Sequence, residues 1–289
     1  MSLGSGRAAF AIAASLAVAA FAATGTALGA VTIGSTLTAD PAGTAPGGCN
    51  SFECTAANRG LNAAAAAPGG LGSPVNGVVT SWRVKSGSSG MVRLRVLHFV
   101  GGTTFAGGPK TLPFPVGPGL SAPIATALPI GLGEGVGLDS SMGMLDQALN
   151  TSATEVNWFN PPLAEGDTRA GNAGGGYEVL VQATVEPTTA FSLGPVKRNK
   201  KKGKAIVTAN LPNPGTLTYT HKGVKVIGPS AVSAPGPVNL VIKATGKKRK
   251  KLNRKGKTRV FLNVGFTPTG GATATQHANL KLVKKHKKK

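Results

Sequence analysis

VKRNKKKGKAIVTANLPNPGTLTYTH, residues 196–221, holds the two patterns from which the fold is read. A basic run leads into a stretch where Ala205, Val207, Ala209 and Leu211 alternate with Ile206, Thr208 and Asn210. Successive side chains of an extended chain point to opposite faces, so the first four share one face of a β-strand. The Pro-Asn-Pro-Gly turn at 212–215 ends it, and Leu217 and Tyr219 resume the alternation beyond.

Working outward, the same pattern predicts seven strands, at 191–196, 204–211, 216–220, 224–227, 238–244, 259–266 and 277–283. The fifth turns Val238, Leu240 and Ile242 inward. The sixth buries Val260, Leu262, Val264 and Phe266, and the seventh Ala278, Leu280 and Leu282. Seven strands within residues 188–283 predict an immunoglobulin-like or fibronectin-type sandwich. The stretch has no Cys and no Trp, which excludes the antibody-type core.

Charge is sorted as sharply as hydrophobicity. Residues 191–289 carry 24 of the 32 Lys and Arg residues and no Asp or Glu, so they hold the whole of the +22 net charge. In a sandwich of antiparallel strands, successive connections alternate between the two ends. Those after the first, third and fifth strands (197–203, 221–223 and 245–257), and the tail 284–289 read as disordered, are all basic. Those after the second, fourth and sixth (212–215, 228–237 and 267–275) contain no charged residue. One strongly positive pole is expected. Its candidate polyanion-binding residues are Lys197, Arg198, Lys200, Lys201, Lys202, Lys222, Lys247, Lys248, Arg249, Lys250, Lys251, Arg254, Lys255, Lys284, Lys285 and Lys287.

Lysine runs often serve only as solvated, solubilising loops. A run gathered to one end repels itself, and a partner would offset that cost. The expected partners are an anionic cell-wall polymer, an acidic polysaccharide or lipid head groups, bound electrostatically and released by salt. Specific nucleic-acid binding is not expected. Phe191, Tyr219, Phe261 and Phe266 are the only aromatic residues here, too few for a stacking platform.

The other end of the chain points to export. Arg7 precedes an uncharged apolar segment, residues 8–23, and the small residues at 24–30 suit cleavage after Gly29 or Ala30. Residues 1–30 therefore read as a signal peptide, with no later segment apolar enough to span a bilayer, and the product is expected to be extracellular or cell-wall associated. Cys49 and Cys54, the only cysteines, should then pair across a short loop, for about 2 kcal/mol.

Residues 31–187 read as one β-rich domain of about eight short strands, jelly-roll-like in outline. Strands are expected at 31–37, 77–85, 91–100, 135–139, 155–159 and 177–185, with brief apolar pieces at 112–116, 124–128 and 130–132. Residues 77–85 and 91–100 look like a hairpin, with Val79, Ser81 and Arg83 opposite Val78, Thr80, Trp82 and Val84. Residues 39–74 read as loop.

Signals for catalysis and for cofactors are poor. His98 lies in an apolar strand, and His221, His277 and His286 have no carboxylate in their domain to orient them. The glycines at 171–176 precede a strand, where a phosphate cradle needs a helix. Glu165 and Asp167 could meet Asp139 or Glu155 at a calcium site, and Trp82, Trp158 and Tyr177 could line a sugar-binding face. No cofactor or metal is expected.

The layout resembles secreted actinobacterial proteins that join a signal peptide, a jelly-roll-like module and a lysine-rich bacterial immunoglobulin-like domain. The resemblance rests on GVVTSWRVKSG (77–87), VKRNKKKGKAIVTANLPNPGTLT (196–218) and KKLNRKGKTRVFLNVGFTPTGG (250–271). It implies a structural layout and no activity. The reading is an all-β, secreted, non-enzymatic protein whose basic module meets an anionic surface. The alternatives are a carbohydrate-binding protein with its site in the N-terminal domain, and a secreted hydrolase.

Overall fold

The computed structural model describes residues 29–42, 49, 53–140, 147–149 and 154–285. The apolar segment read as a signal, up to residue 28, lies outside the described residues, as do Lys287 and the rest of 286–289. The described chain is all-β with one helix, Gly246–Lys255. Its strands form two groups: those before residue 188 pair only with one another, as do those after residue 191.

In the first group, one sheet runs in the order Val31–Gly34, Val181–Pro187, Gly77–Ser86, Gly119–Leu120, with Ile124–Ile130 also on Gly77–Ser86. A larger sheet runs Thr168–Ala170, Thr104–Lys110, Gly90–Gly101, Gly135–Ser140, Cys54–Gly60, Glu155–Phe159, Asn172–Gly175, with Phe114–Val116 beside Gly90–Gly101. Between them lies one core. Ile33, Val79, Trp82, Val84, Val181 and Val185 from the first sheet meet Ala56, Leu94, Val96, Val136, Leu138 and Val156 from the second. The Cys49–Cys54 disulfide is formed at its margin, with both residues buried.

Several expectations need correction. Gly77–Ser86 and Gly90–Gly101 do not pair; they lie in different sheets, and each is already bonded to neighbours within its own. A turn between two alternating runs specifies a reversal, but not which sheet the chain rejoins. The simple alternation of residues 78–84 also fails. The pairing with Ile124–Ile130 shifts register between Val79 and Ser81, and the shift turns Val79, Trp82 and Val84 to the same core. Finally, CTAANRG, inside the stretch read as loop, is a central strand of the larger sheet. Its small residues gave no strand signal because both of its faces are covered. Ala56 faces the main core, and Ala57 joins Leu97, Phe105, Phe159 and Leu163 in a second cluster on the sheet's far side.

Beside that second cluster sits a buried ion pair. Arg95 Nη2 is 2.6 Å from Asp139 Oδ2, with the two side chains 1% and 0% exposed. Thr55 Oγ1 donates to the same carboxylate, and Arg95 Nη1 donates to the carbonyl of Gly108. This network joins three adjacent strands of the larger sheet to the strand Thr104–Lys110.

After residue 191, Ser192–Leu193 and Lys197–Asn199 both pair with Lys204–Leu211, followed by Gly236–Ala244 and Val224–Ile227. A facing sheet runs Ala231–Val232, Gly215–Lys222, Lys257–Pro268, Ala274–Val283. Ala205, Val207, Leu240 and Ile242 on one side and Leu217, Val260, Leu262, Val264, Phe266, Leu280 and Leu282 on the other share one sandwich-like core. Of the first expected strand only Ser192–Leu193 forms, and a further short strand, Lys197–Asn199, follows, so Lys197 and Arg198 belong to strand, not to the connection.

The two groups meet through an asparagine clasp. The Asn76 backbone N–H donates to Asn213 Oδ1 at 2.6 Å, Asn213 Nδ2 donates to the carbonyls of Asn76 and Thr188, and Asn76 Nδ2 donates to the Pro212 carbonyl. The uncharged turn at 212–215 therefore docks on the N-terminal group.

Asp139→Ala should lower stability by about 3–5 kcal/mol, because it strands the Arg95 charge in the interior. The paired change Arg95→Met with Asp139→Leu should cost less, as no buried charge then remains. Denaturant midpoints measured at unchanged slope test both.

Candidate anion-binding pole

The pole is assembled by backbone contacts among the basic segments. The Lys285 N–H donates to the Lys200 carbonyl at 2.9 Å, and the Lys284 N–H to the Gly256 carbonyl at 2.7 Å. The Thr245 N–H donates to the Gly223 carbonyl at 2.9 Å. These bonds tie the turns 200–203 and 222–224, the helix and the start of the tail into one surface. Lys284 and Lys285, read as disordered tail, are thus bonded parts of the pole. The uncharged turns gather at the opposite end, where the Thr269 N–H donates to the Pro214 carbonyl and the Leu217 N–H to the Ser230 carbonyl.

The eight residues of Lys204–Leu211 span the sandwich, roughly 25 Å at the rise of a strand. That is about three Debye lengths at physiological salt. Acids of the N-terminal group therefore do little to screen the pole.

The connection read at 245–257 is a helix, Gly246–Lys255, with the sequence GKKRKKLNRK. One apolar residue in ten leaves no periodic signal, so the sequence does not announce it. Lys and Arg are nonetheless good helix formers. Leu252, 4% exposed, anchors the helix to the core, and Gly256 ends it in the left-handed conformation at φ 65°. Arg254 and Lys255 complement the negative end of the helix dipole, whereas Lys247, Lys248 and Arg249 crowd the positive end with no acid nearby.

Most candidate residues are gathered here. Lys247, Arg249, Lys250, Lys251, Arg254 and Lys255 are exposed on the helix. Lys200, Lys201, Lys202, Lys222 and Lys285 are exposed on the neighbouring segments. Two are partly engaged: Lys248 Nζ donates to the Arg259 carbonyl at 3.0 Å, and Lys284 Nζ to Asn253 Oδ1 at 2.9 Å. Arg198 reaches along the edge instead, donating to the Lys281 carbonyl. Lys197 lies one step inside the strand edge, opposite Ile206.

Sequence reasoning missed further cations. Lys204, Lys243 and Lys225 sit in register on three adjacent strands, each the direct neighbour of the next on the outer face. Like charges so placed, with Cβ atoms about 5 Å apart, repel. The Lys243 charge, with a smaller contribution from desolvation, holds the Lys204 ammonium below its usual pKa. Arg259 and Lys281 oppose one another in the same way on the other sheet. Strand register brings these pairs together, and no run in the sequence marks them.

Beside the ladder lies a cleft of about 400 Å³. Lys202, Lys204, Lys225, Lys243, Arg249 and Lys284 line it, together with Leu252, Asn253 and the backbone around Gly203 and Thr245.

The alternative sites are not assembled. Asp139 is committed to Arg95, Glu155 lies 2.6 Å from Arg59, and Asp167 accepts from the Ala164 N–H of its own loop, so these acids do not meet. Among the described residues no three His, Cys, Asp or Glu side chains converge as metal ligands would. Trp82 is 1% exposed and packs in the core, with Trp158 and Tyr177 against it, so the three do not form an open sugar face. A second cleft, about 150 Å³, lies among Arg59, Leu71, Phe99 and Phe105. It is about half the smallest usual ligand pocket. His98 is exposed on its strand, and His277 stacks on Phe261 and bonds Asn263 Oδ1.

Leu252→Ala should remove the helix anchor at a cost of about 2–5 kcal/mol. Amide exchange should then speed across Gly246–Lys255 while the central strands stay protected.

Compared with known proteins, the chain matches no family model, no curated protein and no solved structure.

Proposed function

We propose that this is a secreted, non-enzymatic, two-domain β-protein whose basic C-terminal module attaches it to an anionic polymer or surface outside the cell. On this reading residues 31–187 form a jelly-roll-like module for display or recognition, and residues 188–283 an immunoglobulin-like module for attachment. The observation that carries it is the convergence of the basic segments at one end of the sandwich, with the uncharged end docked on the N-terminal group. A solubilising charge would serve equally well spread over the surface. Concentrating it costs self-repulsion, which a multivalent anion relieves. The apolar leader sequence supports export.

For the carbohydrate-binding alternative, the small cleft beside Phe99 and Phe105 is a candidate site in the N-terminal group.

The full chain applied to an immobilised polyanion should be retained at low salt and released as salt rises. Replacing Lys247, Lys248, Lys250 and Lys251 together by Gln should lower the salt needed for release. Absence of retention at low salt overturns the proposal, and glycan binding indifferent to salt would favour the carbohydrate alternative.

A further inference from the structure

The exposed runs explain general attraction to anions; the lysine ladder and its cleft ask for something narrower. We infer that the cleft between the ladder and the helix is a site for one phosphoryl group, carried free or on a polymer. The inference rests on the polyanion reading above and specifies the chemistry of its ligand.

Three observations converge on it. First, Lys204, Lys243 and Lys225 stand side by side across three strands with no acid anywhere in residues 191–289 to separate them. Such a row stabilises nothing by itself, and Lys204 already titrates below its normal range because of Lys243. Second, these side chains share one concave surface. With Lys202, Arg249 and Lys284 they line a half-open cleft of about 400 Å³, large enough for a phosphate and part of what carries it. Third, Lys284 is held in place at the rim by Asn253 Oδ1, and Gly203 lies against Leu252 and Lys284 so closely that even a methyl group would crowd them. The rim is therefore packed and does not need to form around the ligand.

Ligand chemistry follows from donor number and charge. Six cations face one volume. A carboxylate brings one charge and two oxygens, which leaves most of the repulsion in place. A phosphate monoester brings about −1.5 to −2 charges and three free oxygens, enough to accept from several ammonium groups at once. Lysine suits this role because its ammonium acts as a compact point charge and needs no planar partner. Phosphate over carboxylate is the selectivity expected.

The test uses the full chain and inorganic phosphate, with chloride at matched ionic strength as the reference. Millimolar phosphate should raise the thermal midpoint of the wild type. Lys243→Gln should raise the midpoint in chloride, by removing the centre of the ladder, and should weaken phosphate binding about tenfold or more. Lys204→Gln should do the same to a lesser degree and serves as the second variant. General salting effects of phosphate are common to all three proteins and cancel in the comparison. In a second arm, a polymer bearing phosphate monoesters should elute at higher salt than a polycarboxylate of equal charge, and Lys243→Gln should erase the difference. Vesicles bearing phosphate-monoester lipids, run beside the phosphate-monoester polymer, tell a lipid source from a polymer source. If wild type and Lys243→Gln respond alike to phosphate while polyanion retention persists, the cleft assignment fails and the attachment proposal stands. If phosphate discriminates between them but no polyanion is retained, the cleft stands and the attachment proposal fails.

Discussion

Antiparallel pairing of the long strands is the constraint on which the rest of the C-terminal structure depends. Antiparallel pairing sends each connection to the end opposite the last, so charge placed on alternate connections accumulates at one pole. Gly215–Lys222 pairs with Lys257–Pro268, and Lys204–Leu211 with Gly236–Ala244, in continuous registers that carry the chain the full length of the sandwich. Tilting or bending could not remix the ends. The backbone bonds linking Lys200 with Lys285, Gly223 with Thr245 and Gly256 with Lys284 then close the pole into one surface.

Such a pole survives because the two energies act in different places. Each buried Val, Leu, Ile or Phe contributes about 1.5–3 kcal/mol, and the core between the two sheets holds many of them, including Val207, Leu240, Ile242, Leu262 and Phe266. A pair of like charges 4 Å apart in water costs about 1 kcal/mol. Repulsion among solvated ammonium groups is therefore outweighed by the apolar core beneath it. It is felt at the ladder, where the Lys243 charge lowers the pKa of Lys204. The interior of the N-terminal group handles charge differently. There Arg95 and Asp139 neutralise one another in full burial, Thr55 donates to the carboxylate, Arg95 donates to the Gly108 carbonyl, and Lys110 Nζ lies 3.5 Å from Asp139 Oδ2.

The join between the groups fits the same division. Asn76 and Asn213 bond each other's backbones, and Asn213 also holds Thr188 in the connecting segment. The neutral end of the sandwich is thereby occupied by protein, while the charged end faces outward, roughly 25 Å away. An attached anion would sit far from the N-terminal group.

The all-β character, the strands of the basic region and the sorting of its charged connections were legible in the sequence, because period-two alternation and chain reversal are local rules. Along the central strands of the basic region no side chain was assigned to the wrong face: Ala205, Val207, Leu240 and Ile242 all lie in the core, as their alternation requires. In the N-terminal group the same rule misled wherever a bulge reset it, as at residues 79–82, or where burial on both faces removed the alternation, as in Cys54–Gly60. The partners of Gly77–Ser86 were also beyond reach, since a turn does not choose a sheet. What the sequence by itself determined is the course of the longer strands of the basic region and which of its connections carry charge. Only the tertiary structure decided that Leu252 folds a lysine run into a helix, and that Lys204, Lys225 and Lys243 stand in one row. Register and packing bring together residues many positions apart, and no local pattern records where they meet.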